Sequence, residues 1–369
     1  MTAIPLKFKD PVGPLKPEKP APKWIEGTVA TPAGPVYKAS TVLSYRDYRE
    51  HFRCRVSGYR DNFTIEPGVY AVGSPDGNSE VFVSANYKYS FDLLRQALHG
   101  LDGWILALDT KGINVWCAAG KGAFGTVELI KKISDCRLAS IVEHRRLVLP
   151  QLGAPGISAH QVSKNTGFKV HYGPVYAKDL PAYLAAGRKA SPDMRTVKFT
   201  IKDRLILTPM EIIPAMKNYP LFALIVLFAF GLQPSGIMFG DAFYGGAPFL
   251  ILGLSAVLSG AFVTPLLLPA IPFRSFALKG WATGLLTVFA YHKLVAPSLV
   301  SPLPLTLISY IFFPSASSYI ALQFTGSTTF TGMSGVKKEL KYGIPLYITS
   351  IAVSLIIMSV YKLVEWGLL

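Results

Sequence analysis

Cysteine is scarce in this chain: there are three in 369 residues, Cys54, Cys117 and Cys136, and no CxxC pair. That excludes a disulfide framework and an iron–sulfur cysteine run, and free thiols suit a reducing compartment. Charge is scarce too. Only 16% of residues are charged, against about 25% in soluble domains, and mean hydropathy is +0.35. The shortage is uneven: residues 212–369 carry eight basic and three acidic side chains, whereas residues 1–211 carry 29 and 19. The net charge of +15 is dispersed rather than gathered into a patch, which argues against a nucleic-acid partner. A secretory apolar core is missing from the N-terminus. Residues 1–35 instead hold eight prolines and five lysines and read as an extended arm.

What the second half has is long apolar runs. A spanning helix needs about 20 mostly apolar residues, and five stretches qualify: 213–232, 247–271, 276–295, 299–324 and 342–361. Interior Gly and Pro are tolerated in such helices. With the first half inside, the inner loops gain Lys202, Arg204, Lys217, Arg274, Lys279, Lys337, Lys338 and Lys341, and the outer ones only Lys293 and Lys362. The positive-inside bias then predicts a multi-pass protein of the cytoplasmic membrane whose soluble domain faces the cytoplasm. Asp241, His292, Lys293 and Gln323 fall at predicted span ends, where snorkelling explains them, so this half reads as an anchor in the lipid bilayer and a docking platform. The expected layout is an arm at 1–35, an α/β domain at 36–190, a linker at 191–211 and a transmembrane domain of about five helices at 212–369.

The soluble half alternates predicted strands (69–73, 80–84, 104–108, 147–149, 168–172 and 197–201) with predicted helices (91–99, 126–134, 158–164 and 180–186). That order implies an open, Rossmann-like α/β sheet whose ligand sits beyond the carboxyl ends of the strands. One segment, 111–126, follows a strand, opens a helix and carries unusual chemistry. It fails as a P-loop, because Val115 stands where the first glycine belongs and Gly122 follows Lys121. It matches GxGxxG at Gly120, Gly122 and Gly125, but the acidic partner expected about 20 residues on would be Glu143, within IVEHRR rather than at a strand end. A third reading makes Cys117 the functional atom. Thiolates are soft ligands for transition metals, and Ala118, Ala119 and Gly120 would let a large flat cofactor approach the backbone. On spacing alone a single Cys in an apolar loop is more often a buried, inert thiol than a ligand.

The stretch 114–122 (NVWCAAGKG) resembles the cap-helix signature of the corrinoid protein of microbial mercury methylation, the HgcA family. The likeness extends through 81–88 (VFVSANYK), 102–112 (DGWILALDTKG), 151–156 (QLGAPG), 160–164 (HQVSK) and 167–174 (GFKVHYGP), and a soluble domain followed by five spans is similar to that family as well. Ala123 is a mild variation, and residues 1–35 find no counterpart. That family's corrinoid domain is similar to that of the corrinoid iron–sulfur protein of the acetyl-CoA pathway.

The resemblance implies a membrane-anchored, corrinoid-dependent methyltransferase that carries a methyl group on a cobalamin-type cobamide to Hg(II). Cys117 would coordinate cobalt, with Asn114, Val115, Trp116, Ala118, Ala119, Gly120, Lys121 and Gly122 around it. Ser84 and Asn86 would face the other side of the ring, or else cap a helix or close a turn. Gly153, Ala154 and Gly156, with Gly173 and Pro174, would lie on the ligand edge or serve as plain turn residues. His144, His160 and His171 lack the DxHxxG context of a corrinoid ligand. Cys54 and Cys136 read as structural thiols. Electrons would come from a ferredoxin-like partner with two [4Fe–4S] clusters, and the methyl group from a methyl-donor methyltransferase. Two other readings stay open: a methyl carrier for another acceptor, and a membrane transporter or receptor whose soluble domain binds a nucleotide.

Overall fold

The computed structural model describes residues 22–295 and 302–369. The chain divides into two compact units, Met1–Val197 and Lys198–Leu369.

The first unit is built on a seven-stranded mixed sheet. Its elements are β1 (Ile25–Thr31), β2 (Gly34–Ala39), α1 (Tyr45–Val56), β3 (Gly68–Val72), β4 (Glu80–Ala85), α2 (Lys88–Ala97), β5 (Gly103–Leu108), α3 (Val115–Lys121), α4 (Thr126–Asp135), α5 (Leu138–Ile141), β6 (Arg146–Leu149), α6 (Ala159–Thr166), β7 (Lys169–Tyr172) and α7 (Leu180–Ala185). The strand order is β1-β2-β3-β5-β4-β6-β7. The segment β5-β4-β6-β7 is parallel, β3 runs antiparallel to β5, and β1 and β2 form an antiparallel hairpin. Strand β5 (GWILAL) is buried at every position. This is why it reads as an unbroken apolar run rather than an alternating one.

Helices cover both faces. Residues of α3, α4 and α6 (Ala118, Leu129, Ile133, Val162), with Phe124 from the α3–α4 turn, join one core, and those of α2 and α7 (Phe91, Leu94, Leu180, Tyr183), with Leu98 at the end of α2, join the other. The chain leaves β4 through α2 to reach β5 on one side, then returns through α3 and α4 past β4 to β6 on the other. The order of winding therefore reverses between β4 and β6, and a crevice opens at their carboxyl ends, the position where open α/β sheets bind ligands.

Five predicted strands recur as β3 to β7, and the four predicted helices as α2, α4, α6 and α7. The strand expected at 197–201 is absent: Thr200 instead caps Ile201–Leu207, its hydroxyl accepting from the Asp203 amide in a capping box. The linker predicted at 191–211 thus contains helix, and the boundary between units lies at Val197 and Lys198. The arm expected over 1–35 lies outside the described residues up to position 21. Beyond that, residues 25–35 enter the β1–β2 hairpin, so they belong to the sheet.

A buried ion network fixes α1 against α2. Lys88 Nζ lies 2.7 Å from both Asp47 Oδ1 and Asp92 Oδ2. Arg95 Nε is 2.8 Å from Asp92 Oδ1, and its Nη2 is 3.1 Å from Asp47 Oδ1. His51 Nε2 adds a 2.8 Å contact to Asp92 Oδ2, and Arg95 Nη1 donates to the Ser40 carbonyl at 2.6 Å. Burial works against ionisation of Asp47, but the hydrogen bond from Lys88 and those from Ser44 outweigh it and hold the carboxyl well below the usual carboxylate range. Asp92 shifts the same way: burial opposes ionisation, and His51, Lys88 and Arg95 overcome it.

The second unit is helical. Four of its helices, Ile201–Gly231, Phe239–Leu266, Leu303–Gly326 and Ser334–Glu365, are long and apolar enough to cross a membrane by length and composition. The stretch expected as a fifth span, 276–295, is helical over Phe276–Ala290 and continues as a π-helical turn, Tyr291–Val295. It falls outside that group of four, and it carries Lys279, His292 and Lys293. Lys279 is buried, and its Nζ donates to the carbonyls of Leu268 and Ile271, closing the broken turn after Leu266. Packing here relies on small residues. A Cβ on Gly280 would meet Ala321 Cβ at 2.5 Å, and one on Gly284 would meet Ser317 Cβ at 2.7 Å. Asp241 accepts from Gln233 Nε2 at 3.0 Å, and His292 Nε2 lies 2.8 Å from Ser309 Oγ.

Because the folded Asp47 and Asp92 carboxyls ionise more readily than unfolded ones, their contribution to stability is complete above about pH 4 and drains away as pH falls through their folded values. Amide exchange of α1 and α2 in the full-length protein between pH 6 and pH 2 should show these helices losing protection below about pH 4. Asp47→Asn leaves Lys88 and Arg95 buried with one carboxylate fewer and should cost about 3 kcal/mol, measured by chemical denaturation at neutral pH.

Candidate functional site

The path from β5 to α3 determines where Cys117 stands. After Leu108 the chain turns through Lys111 (φ 55°) and Gly112 (φ 70°), two consecutive left-handed residues. Such a conformation costs a non-glycine residue energy and persists only where neighbours hold it. Asn86, just past the end of β4, holds it: its Oδ1 accepts from Thr110 N (3.0 Å), Thr110 Oγ1 (2.9 Å) and Gly112 N (3.1 Å). Thr110 Oγ1 also lies 2.7 Å from the Ile113 carbonyl, so its one proton is shared between that oxygen and Asn86 Oδ1. Asn114 then caps α3, its Oδ1 accepting from the Cys117 amide at 2.9 Å. After the seven residues of the helix, Gly122 (φ 80°) ends it in the left-handed C-cap conformation.

Helix α3 packs against the turn Gln151–Gly156, and the approach is close. A Cβ on Gly156 would lie 2.1 Å from the Phe124 carbonyl oxygen and 3.2 Å from Ala119 Cα, and one on Gly153 would lie 2.5 Å from the Phe124 ring. Thr126 Oγ1 stitches the same seam by accepting from Ser158 N at 2.8 Å. On the outer side of α3 a Cβ on Gly120 would meet nothing. Glycine inside a helix costs about 1 kcal/mol relative to alanine, and no contact within the chain requires it at this position.

Beside α3, at the carboxyl ends of β4 and β6, lies a cavity of about 300 Å³. Ser84, Ser90, Leu93, Trp116, Leu152 and Tyr176 are among its lining residues. Trp116, 40% exposed, stands at its rim, and Leu93 is similarly open to solvent. Cys117 is half-buried on the adjoining helix. The other two thiols differ from it. Cys54 is 3% exposed and burial pushes its thiol up, against a hydrogen bond with Tyr87; burial pushes Cys136 up to about 11.

Of the residues singled out from sequence, Ser84, Asn114, Val115 and Trp116 line the cavity together, with Pro174. Ala118 and Ala119 are buried beneath α3 in the core and face the sheet, so they do not form the open floor expected of them. Gly120, Lys121 and Gly122 are exposed. Asn86 is engaged with the 110–112 turn, and Gly153 and Gly156 with residues 119–124, so all three shape the site from behind. His144 Nε2 pairs with the Ser79 carbonyl at 2.9 Å. The GxGxxG match loses its physical basis: Gly120 sits inside α3 rather than in the strand-to-helix turn that such a fingerprint requires. Sequence reasoning missed Leu93, Leu152 and Tyr176. Only the solvent-facing Leu93 on an otherwise amphipathic α2 could have signalled the cavity.

Residues 57–184, which run from the end of α1 into α7, match the family model described as CO dehydrogenase/acetyl-CoA synthase delta subunit. Among curated proteins, the chain is similar to the acetyl-CoA decarbonylase/synthase complex subunit gamma of Methanopyrus kandleri, 33% identical over 135 residues that make up 36% of this chain and 29% of that protein. It is also similar to the subunit of the same name from Archaeoglobus fulgidus, 28% identical over 159 residues, 40% of this chain and 33% of that protein. The chain thus spans about a third of the length of the curated relatives it matches.

The seam behind α3 should be intolerant of volume. Gly156→Ala sets a methyl group against backbone atoms that cannot rotate away and should cost about 2 kcal/mol, read as a lowered melting temperature of the full-length protein.

Proposed function

We propose that this chain is a membrane-anchored, corrinoid-dependent methyl-transfer protein in which Cys117 Sγ is the cobalt ligand and Hg(II) is the methyl acceptor. The observation that carries the reading is the helix Val115–Lys121 itself. Its first turn, Val115 and Trp116 with the cap Asn114, lines an apolar cavity at the winding reversal of the sheet; Cys117, half-buried, follows directly on the same helix without lining that cavity, and Gly120 leaves the outer surface open to a large planar group. The residues present fit a corrinoid: a soft donor, apolar walls, and a glycine whose missing side chain matters to nothing inside the protein. The similarity of residues 57–184 to subunits of acetyl-CoA-forming complexes supports one-carbon chemistry.

A bound corrinoid supplies a cobalt centre that takes up and releases a methyl group. The protein's part is to bind, orient and tune it. Asn114 fixes the start of α3 and so the height of Cys117, and Ser84 offers a hydroxyl on the cavity wall. Trp116 covers apolar surface at the rim. A thiolate ligand donates electron density to its metal, which favours handing the methyl group to an electrophile, and Hg(II) is one. Electrons to restore the cofactor would come from a ferredoxin-like protein with two [4Fe–4S] clusters, and the methyl group from a methyl-donor methyltransferase. Among the described residues no group of three or more His, Cys, Asp or Glu could hold a metal ion by itself. The four long apolar helices support anchoring in a membrane; placing the first unit on the cytoplasmic side rests on the positive-inside bias of the sequence.

A second reading, a methyl carrier for another acceptor, is favoured by the same similarity to acetyl-CoA complex subunits. Visible spectra of the full-length protein loaded with hydroxocobalamin test the cofactor. A cobalt–thiolate spectrum present in the wild type and lost in Cys117→Ala is expected, and a wild-type protein that retains no corrinoid would overturn the assignment. With methylcobalamin loaded, loss of the methyl–cobalt absorbance on adding Hg(II) is expected, whereas an indifferent spectrum would favour the carrier. Gly120→Leu should leave the melting temperature unchanged or raised, since Leu is a good helix former. The same substitution should lower corrinoid retention on the order of tenfold by blocking close approach.

A further inference from the structure

The sequence resemblance would make Asn86 a contact of the cofactor. Its hydrogen bonds give it another role: we propose that Asn86 is a positioning residue that sets the place of the Cys117 thiol through a relay of hydrogen bonds, with Thr110 as its second member. The inference rests on Cys117 being the working group of the site, as proposed above.

Asn86 is 6% exposed and does not line the cavity. Its backbone is committed on both sides, the amide to the Leu108 carbonyl at 2.9 Å and the carbonyl to the Ile65 amide at 2.9 Å. The residue is thus rigidly part of the sheet edge where β4 and β5 end. From that fixed point its Oδ1 gathers three donors of the turn, Thr110 N, Thr110 Oγ1 and Gly112 N. Thr110 is fully buried, and its hydroxyl spans from Asn86 Oδ1 to the Ile113 carbonyl. The next residue is Asn114, whose side chain accepts from the Cys117 amide. Each link is a buried or half-buried hydrogen bond of ordinary length, so the backbone amide of Cys117 is tied to the end of β4 and the thiol is one side-chain torsion beyond it.

The turn needs such a tie. Lys111 and Gly112 are both left-handed, and a Cβ on Gly112 would come 2.6 Å from Thr64 Cγ2, so the turn is walled on its outer side by the 61–64 segment. A seven-residue helix has little stability of its own. Where α3 begins is therefore decided by the turn, and the shape of the turn by what satisfies its amides. Removing the Asn86 oxygen leaves two backbone amides without their acceptor, while the Thr110 hydroxyl keeps only the Ile113 carbonyl, and the turn must rearrange to find water.

The test uses the full-length protein without any cofactor, so that it stands apart from the corrinoid assignment. Alkylation by iodoacetamide is followed by mass spectrometry at each cysteine, with Cys54 and Cys136 as internal references. In Asn86→Ala the rate at Cys117 should change by about tenfold, the scale of a buried hydrogen bond lost, while the two references stay at wild-type rates. Asn86→Asp keeps an acceptor oxygen and should restore the wild-type rate. Thr110→Val keeps shape and loses only the hydroxyl, and should shift Cys117 in the same direction by less; it serves if Asn86→Ala does not fold. An unchanged Cys117 rate in both variants, or a parallel change at all three cysteines, overturns the relay. Spectra with hydroxocobalamin add a second readout. Corrinoid retained with a weakened cobalt–thiolate signature supports positioning, whereas lost retention with an unchanged alkylation rate makes Asn86 a direct contact and overturns the proposal. A wild-type protein that takes up no corrinoid would sink the functional reading and leave the alkylation result to decide the relay alone.

Discussion

The site depends on two consecutive left-handed residues. Lys111 and Gly112 turn the chain sharply after β5 so that a helix can start within a few residues of the sheet edge, and everything that α3 presents follows from where that turn points. A helix of seven residues cannot hold itself. It is fixed at its start by the Asn86–Thr110–Ile113 bonds and the Asn114 cap, and along its length by the glycine seam with the 151–156 turn. Both supports are tertiary. Cys117 therefore sits where the sheet puts it, and local propensity has little say: VWCAAGK holds a β-branched residue, a tryptophan and a glycine, a poor recipe for an isolated helix.

Two kinds of interior are placed on the α2 side of the sheet, and their energetics differ. Behind α2, four charged side chains, Asp47, Lys88, Asp92 and Arg95, and His51 are closed off between α1 and α2. Ion pairs this buried cost several kcal/mol of desolvation per ion, and they hold only because each carboxylate oxygen and each cation has a close partner: 2.7 Å for Lys88 to two aspartates and 2.8 Å for Arg95 to one. In front of α2, the cavity between β4 and β6 has apolar walls and few polar groups. A charged network specifies one arrangement of its helices where apolar packing tolerates several. It thus holds α2 firm, and Ser90 and Leu93 on the cavity side inherit that firmness.

How far the sequence discloses this is uneven for physical reasons. The central strands are legible because strands buried on both faces must be apolar throughout, and β5 is so at all six positions. The β1–β2 hairpin is hidden because β1, at the sheet edge, buries none of its residues fully and shows no apolar run, and it follows a Pro- and Lys-rich stretch that reads as unstructured. The stretch 276–295 passes as a span on length yet carries Lys279, His292 and Lys293, whose placement within the helical unit no window of hydropathy can foresee. At the site, residues 114–122 announce themselves. The division of labour among them does not: Ala118 and Ala119 face the core while Gly120 faces out, a distinction that requires the helix axis. Asn86 shows the same limit, since a motif can mark it as important without telling a contact from a brace.

The treatment of the other thiols bears on the choice of acceptor. The thiolate, rather than the thiol, binds soft metals, so a protein that passes a methyl group to Hg(II), as proposed, must avoid holding the ion on its own cysteines. This chain has only two besides Cys117, and burial pushes both up: Cys54 is almost closed off, and Cys136 reaches about 11. Burial thus disfavours in both the thiolate form that holds a soft metal, a restraint that a carrier serving a carbon or sulfur nucleophile would not need.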